Sequence, residues 1–179
     1  QLGDKPIFLA GDVSDLRPLL HEAVDQAKLA GRNAVTFPQV VQATWRAPIG
    51  VIFCDPQIAL VGERHEDLCP GTFATGEVSF HNQGRSRVMK VNKGMLHIYG
   101  EGGTGRILGA EMIGPRMEHI AHLLSWSIQE GLTCKTLLQM PFYHPTIEEG
   151  LRAALYVLRT ALSELHPPEQ PGQNITPGA

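Results

Sequence analysis

The fold of this chain is constrained most by residues 140–155, which read MPFYHPTIEEGLRAAL. Pro145 fixes its own φ angle and disfavours the α region for His144, so the chain must reach this point in an extended conformation. Apolar residues then recur at helical spacing from Leu151 to Leu162. The pattern predicts a core-facing helix that begins right after His144, with Pro145 at its first position, where a backbone N–H would have no partner. An imidazole held at a helix entrance is well placed for proton transfer.

Two carboxylates, Glu148 and Glu149, follow in the predicted first turn of this helix, where the helix dipole favours negative charge. Either side chain could accept a hydrogen bond from one ring nitrogen of His144 and leave the other nitrogen to accept a proton. The alternative is that His144 is a capping or surface residue and that both glutamates serve only the dipole. The spacing alone chooses neither between the two acids nor between the two interpretations.

The composition is that of a globular chain with one ordinary domain and some residues to spare. Hydrophobic residues make up 42% of the 179 residues, and no apolar run approaches the roughly 18 residues that a membrane-spanning helix needs. The formal charge of −3, without a basic stripe, argues against a nucleic-acid surface. We interpret the small basic cluster at residues 85–93 as a solvated turn. The sequence therefore predicts neither a membrane nor a nucleic acid as a partner.

The cysteines indicate the compartment and exclude some chemistry. Cys54, Cys69 and Cys134 are odd in number and widely spaced, so they predict neither a disulfide framework nor a zinc site, and a reducing cytoplasm suits them best. No pair has the close spacing of a redox-active dithiol. His119 and His122 could chelate a metal together, but no third ligand stands at a recognisable spacing. No metal site is therefore predicted.

The first 40 residues follow the order of an α/β nucleotide-binding unit. Residues 6–12, PIFLAGD, predict a short strand that ends in a turn at Gly11 and Asp12. A helical pattern follows from Leu20 and should end at Gly31, because glycine is the usual residue after a helix. Ligands of such units lie beyond the carboxyl ends of the strands, which makes the turn a candidate binding site.

The middle of the chain predicts an α+β domain, in which an antiparallel sheet is flanked by helices. The third and fourth predicted strands should pair around residues 82–84, and the last two should form a hairpin through a glycine-rich turn at Gly102 and Gly103. An amphipathic run that ends at Gly131 predicts a long helix before the terminal one. Strands are predicted at residues 49–53, 56–62, 73–80, 87–91, 95–101 and 106–114.

Several motifs resemble those of one family and occur in the family's order. HPTIEE at residues 144–149 resembles the His-Pro-Thr-x-x-Glu signature of the flavin-dependent pyridine nucleotide-disulfide oxidoreductases, and most of all that of the dihydrolipoamide dehydrogenases. IFLAGDV at residues 7–13 is similar to the family's second flavin-binding motif, and PQIALVG at residues 56–62 to its Pro-x-Ile-Ala-x-Val-Gly signature. NQGRSRV and RILGAEMIG resemble two further strands. The chain is therefore identified as the C-terminal part of such an oxidoreductase.

The resemblance implies a role for particular residues. By this analogy His144 is the acid/base catalyst that serves the redox disulfide of the partner subunit, and Glu149 orients the imidazole. Asp12 would bind the ribityl chain of FAD. Leu20 and His21 would lie near the flavin ring.

The resemblance also implies how the whole protein is organised. Residues 1–40 correspond to the last strand and helix of an FAD-binding domain, and residues 41–165 to the dimerisation domain. Residues 166–179, rich in proline and glycine, predict a flexible tail or a strand-like extension. The intact enzyme would be a homodimer that uses FAD and NAD to pass electrons between NAD(H) and a dithiol or disulfide substrate such as lipoamide. Assembly into a 2-oxo acid dehydrogenase complex is compatible with this analogy.

The chain alone is expected to be inactive and to bind neither FAD nor NAD. Its sequence lacks a dinucleotide-binding glycine fingerprint, a nicotinamide domain and a close cysteine pair. Its start at Gln1, a few residues before a strand-like run, predicts a fragment or a processed product. Two alternatives stay open, namely another disulfide reductase such as glutathione reductase, and a stand-alone dimerisation module without chemistry.

Overall fold

The computed structural model describes residues 1–15, 17–42 and 44–165, so the tail predicted at residues 166–179 lies outside the described residues. The chain divides into two compact units, one formed by Gln1–Arg46 and the other beginning at Ala47. Among the described residues, no helix is long and apolar enough to cross a membrane.

The first unit contains one long helix, α1 (Leu20–Thr36), preceded by a single 3-10 turn at Asp12–Ser14. The strand predicted at residues 6–12 is not found there, because no described residue pairs with this segment and a strand needs a neighbour for its backbone polar groups. The prediction that Gly31 ends the helix is also wrong. α1 passes through Gly31 and ends at Thr36, because a glycine within a helix costs only about 1 kcal/mol. In the continued helix the buried Asn33 side chain makes two backbone hydrogen bonds to the segment that follows.

The second unit is built on a five-stranded antiparallel sheet flanked by helices, which confirms the predicted α+β class. The strands lie in the order β1–β2–β5–β4–β3, so only the connection from β2 to β3 crosses to the far edge of the sheet. The predicted glycine-rich hairpin is present and joins β4 to β5. The strands are β1 (Ile49–Ile52), β2 (Gln57–Gly62), β3 (Phe73–Ser79), β4 (Met95–Glu101) and β5 (Ile107–Gly114).

A short helix, α2 (Gly84–Val88), stands where the sequence predicted a strand at residues 87–91. The start of α2 is capped by Gln83, whose side-chain oxygen accepts a hydrogen bond from the Ser86 N–H at 2.7 Å. This cap favours the helical turn over an extended conformation, because it satisfies an N–H that a helix start leaves without a partner. The predicted pairing of the strands at residues 73–80 and 87–91 is therefore wrong, and β3 pairs with β4 instead.

Two long helices, α3 (Met117–Gln129) and α5 (Glu149–Leu165), pack against the sheet, and the short helix α4 (Cys134–Leu138) lies between them in the chain. α3 is the helix predicted before Gly131. Alternate side chains of the strands and the apolar sides of both helices form one hydrophobic core. Its fully buried members include Leu96, Ile98, Ala110, Ile120, Leu124, Leu155 and Leu158.

The contact between β3 and α5 depends on Gly76. A Cβ atom at this position would lie 2.3 Å from the carbonyl oxygen of Ala154 and 2.6 Å from the Cβ atom of Leu158. Glycine lets the strand and the helix approach each other this closely because it has no side chain. The contact fixes α5 against the sheet and thereby positions the loop that leads into this helix.

Candidate functional site

His144 lies in the loop between α4 and α5, and its side chain is 80% exposed. Three contacts hold this loop. Ile147 is buried in the core, the Thr146 hydroxyl donates a hydrogen bond to the Tyr143 carbonyl at 2.8 Å, and Gln83 Nε2 donates to the Thr146 carbonyl at 2.5 Å. The histidine therefore projects into solvent from a loop whose backbone is anchored to the core and to the connection between β3 and β4.

The helix after the histidine begins later than the sequence predicted. α5 starts at Glu149, so Pro145 lies in the loop and not at the first helical position, and the His144–Pro145 peptide bond is cis. The side chain of Glu149 accepts a hydrogen bond from the Thr146 N–H at 3.0 Å. This side-chain acceptor gives the N–H a partner outside a helix and stabilises a non-helical turn before α5.

The structure brings Glu149, and not Glu148, to the imidazole. Nδ1 of His144 lies 2.9 Å from Oε1 and 3.1 Å from Oε2 of Glu149. Two hydrogen bonds hold the pKa of the Glu149 carboxyl below its usual value. The bond from the Thr146 N–H has the larger effect and the bond from His144 the smaller. A charged carboxylate accepts hydrogen bonds and donates none, so Nδ1 carries the proton and the neutral ring presents Nε2 as an acceptor.

A cavity of about 550 Å³, called the apolar groove below, opens beside the histidine loop. Its walls come from α3 and from the loop, and they include Leu123, Trp126, Met140, Phe142 and Tyr143. Trp126 is 64% exposed and Tyr143 is 82% exposed. The groove therefore presents exposed aromatic side chains beside the histidine loop. Sequence reasoning missed the groove, although the aromatic residues directly before His144 were a signal.

The three residues predicted to contact FAD are exposed in the first unit. Asp12 begins the 3-10 turn, and Leu20 and His21 are the first two residues of α1. Gln26 connects the turn to the helix. Its side-chain oxygen accepts hydrogen bonds at 2.8 Å from the Gly11 N–H and from the Ser14 hydroxyl. Sequence reasoning missed Gln26, because a glutamine in a helical pattern carries no signal of a contact outside the helix.

Metal ligands and thiols do not add to the site. The part of the chain that the structure describes contains no group of three His, Cys, Asp or Glu side chains that could hold a metal ion. His122 is engaged through Nδ1, which lies 2.6 Å from the Glu118 carbonyl oxygen. Cys54 and Cys69 are exposed free thiols, whereas burial raises the pKa of the Cys134 thiol to about 11.

The sheet order and the helices packed on the sheet define an α+β domain that presents an exposed histidine–carboxylate pair. Residues 49–155 match the model of a family described as the pyridine nucleotide-disulphide oxidoreductase, dimerisation domain. The chain therefore belongs to this family.

Curated relatives carry the same name across distant organisms. The mitochondrial dihydrolipoyl dehydrogenase of Rattus norvegicus is 28% identical over 150 residues, which is 83% of this chain and 29% of the relative. The dihydrolipoyl dehydrogenase of Halobacterium salinarum is 26% identical over 163 residues, which is 89% of this chain and 34% of the relative. The chain thus spans about a third of the length of these relatives.

Solved structures share the fold. LpdA of Mycobacterium tuberculosis matches 82% of this chain and 32% of its own length, with a TM-score of 0.70 and 21% identity. RclA of Escherichia coli, described as an HOCl-induced flavoprotein disulfide reductase, matches 84% of this chain and 34% of its own length, with a TM-score of 0.69 and 19% identity. At these identities the likeness shows the fold alone.

Proposed function

We propose that this chain is the dimerisation and catalytic-histidine portion of an FAD-dependent oxidoreductase of the dihydrolipoamide dehydrogenase type. Such an enzyme passes electrons between NAD(H) and a dithiol or disulfide. His144 is the acid/base for the redox disulfide of the partner subunit. The observation that carries the proposal is the pair of His144 and Glu149, which combines a charged carboxylate at Nδ1 with an open Nε2 on a side chain that is 80% exposed.

The chemistry that suits this pair is thiol–disulfide exchange, because only the thiolate attacks a disulfide. Nε2 of His144 accepts the proton of the substrate thiol. The thiolate then attacks one sulfur of the disulfide, a new S–S bond forms, and the electron pair of the old bond leaves with the other sulfur. Glu149 stabilises the imidazolium that results and keeps the ring in one orientation. In the reverse direction the imidazolium returns the proton to the departing thiolate.

The residues of the first unit are proposed to hold FAD in the intact enzyme. The exposed carboxylate of Asp12 suits a ribityl hydroxyl group, and the exposed Leu20 and His21 suit the edge of a flavin ring. FAD, when bound, supplies the two-electron relay between the disulfide and the nicotinamide of NAD. This chain alone is proposed to bind neither cofactor and to be inactive.

A homodimer is the assembly that this proposal requires, because the histidine serves the partner subunit. The family description, a dimerisation domain, and the exposed apolar groove beside His144 support it. Lipoamide as substrate and membership of a 2-oxo acid dehydrogenase complex remain proposals that rest on the names of the relatives. A cytoplasmic location also remains a prediction, and the rat relative is named as mitochondrial.

The orientation of the imidazole can be tested on the 179-residue chain itself. Two-bond ¹⁵N–¹H NMR spectra of the neutral ring should show the Nδ1–H tautomer for His144. Glu149→Ala should convert the ring largely to the Nε2–H form, which is favoured without an acceptor at Nδ1, and the matched control Glu148→Ala should leave the tautomer unchanged. An Nε2–H tautomer in the unmodified chain would contradict the proposed role.

The catalytic role is tested in an intact enzyme that contains this chain. His144→Ala should lower dithiol turnover by a factor of about 10² to 10⁴, the usual contribution of a general acid/base, while the FAD content stays unchanged. Turnover of lipoamide close to that of the unmodified enzyme would refute the role. A preference for glutathione disulfide over lipoamide would keep the role of His144 and replace the dihydrolipoamide dehydrogenase type with a glutathione reductase type.

A further inference from the structure

A second cavity, of about 400 Å³, lies in the sheet-containing unit where three segments meet. These segments are the loop between β1 and β2, the residues that follow α2, and the start of α3. The charged side chains that line this cavity are those of Asp55, Lys90, Lys93 and Arg116. We call it the basic cavity.

The charges of the basic cavity are not balanced. Three cations and one carboxylate line it, which leaves two positive charges in excess. Within the described residues, none of these four side chains forms an ion pair. Cations that line one concave surface repel each other and raise the local concentration of anions. An anionic ligand would remove the repulsion.

Two of the three cations stand on unusual backbone. Lys90 has a φ of 58° and Arg116 has a φ of 59°, in the left-handed region that side-chain-bearing residues seldom adopt. At Lys90 this φ belongs to the end of α2, where the Val91 N–H donates a hydrogen bond to the Ser86 carbonyl at 2.9 Å. Glycine is the residue best suited to both left-handed positions. Arg116 is also the N-cap residue of the 13-residue helix α3, whose first turn carries Glu118. The excess positive charge of the cavity therefore comes from its side chains and not from the helix dipole.

We propose that the basic cavity binds a phosphate-bearing anion. Phosphate groups carry more than one negative charge and accept several charge-assisted hydrogen bonds, which suits two exposed lysines and an exposed arginine that line one cavity. The proposal is independent of the histidine site, because none of these residues lines the apolar groove.

Phosphate binding can be measured by NMR titration of the 179-residue chain at constant ionic strength, with inorganic phosphate, pyrophosphate and ADP as separate probes. Saturable shifts are expected at the backbone amides of Gln57, Val91 and Gly114, which line the cavity. If ADP binds more tightly than pyrophosphate, the ligand belongs to the nucleotides. If the two bind equally, the ligand is an inorganic phosphate or diphosphate. Shifts that do not saturate with any of the three probes would overturn the proposal.

The residues are tested with a double variant, Lys90→Gly with Arg116→Gly, which removes two charges and suits both left-handed positions. It should bind pyrophosphate at least about tenfold more weakly than the unmodified chain. The matched control, Arg85→Gln with Arg87→Gln on the exposed side of α2, removes the same charge outside the cavity and should weaken binding less than about twofold. Equal weakening by both double variants would overturn the proposal. If the glycine variant melts at a lower temperature, Lys93→Gln replaces it, with the single variant Arg87→Gln as its control and the same criterion.

Discussion

The replacement Gly76→Ala tests whether α5 is seated on β3 as tightly as the structure indicates. The added Cβ atom would lie 2.3 Å from the Ala154 carbonyl oxygen and 2.8 Å from the Leu158 backbone nitrogen. Both atoms belong to the helix backbone, so no side-chain rotation relieves the contact. The strand and the helix would have to separate by about 1 Å to reach ordinary van der Waals distance.

We expect Gly76→Ala to lower the free energy of unfolding by about 3 kcal/mol, at the upper end of the cost of overpacking a core. Urea unfolding followed by far-UV circular dichroism measures this change, with the slope checked to confirm the same exposed surface. Gly50→Ala in β1 is the matched control, because its Cβ atom meets no other atom within 4 Å and should change stability by less than about 1 kcal/mol. A loss below 1 kcal/mol for Gly76→Ala, or equal losses for both variants, would refute the close contact.

Three further predictions concern the loop and the thiols. Glu149→Ala should lower the free energy of unfolding by about 1 kcal/mol at pH 7. The loss should become smaller as the pH falls through the pKa of the folded carboxyl, which lies below its unfolded value near 4. Urea unfolding between pH 3 and 7 would measure both effects. Iodoacetamide at pH 8 should modify the exposed Cys54 at least about ten times faster than the buried Cys134, whose pKa is about 11; equal rates by peptide mass spectrometry would contradict the burial. Gln83→Ala should increase hydrogen exchange at the Ser86 amide by about fivefold, the effect of losing a cap worth about 1 kcal/mol, and unchanged exchange would contradict the cap.

The sequence predicted those parts of the fold that local patterns determine. Alternation and the turn at Gly102 and Gly103 were sufficient for the hairpin of β4 and β5, and helical spacing followed by Gly131 was sufficient for α3. Prediction from the sequence failed at residues 87–91. The apolar residues there are compatible with a strand, but the side chain of Gln83 caps a helix in this region. Periodicity does not record such a side-chain contact.

The site was predictable in part for the same reason. The spacing in residues 144–149 placed an acid near His144, but it could not choose between Glu148 and Glu149. That choice depends on the turn before α5, where the Thr146 N–H and the imidazole converge on one carboxylate. The aromatic residues before His144 were a signal of only one wall of the apolar groove. The other wall comes from α3, so the groove as a whole depends on how the chain packs.

Gln83 links two regions that are 63 residues apart in the sequence. Its amide nitrogen donates a hydrogen bond to the Thr146 carbonyl, and its amide oxygen accepts one from the Ser86 N–H. One side chain therefore connects the start of α2 to the histidine loop. The loop that carries the imidazole is therefore held both by the connection between β3 and β4 and by the helix α5 that follows it. A change in this connection should therefore alter the orientation of the imidazole, even where the sequence of the histidine loop is kept.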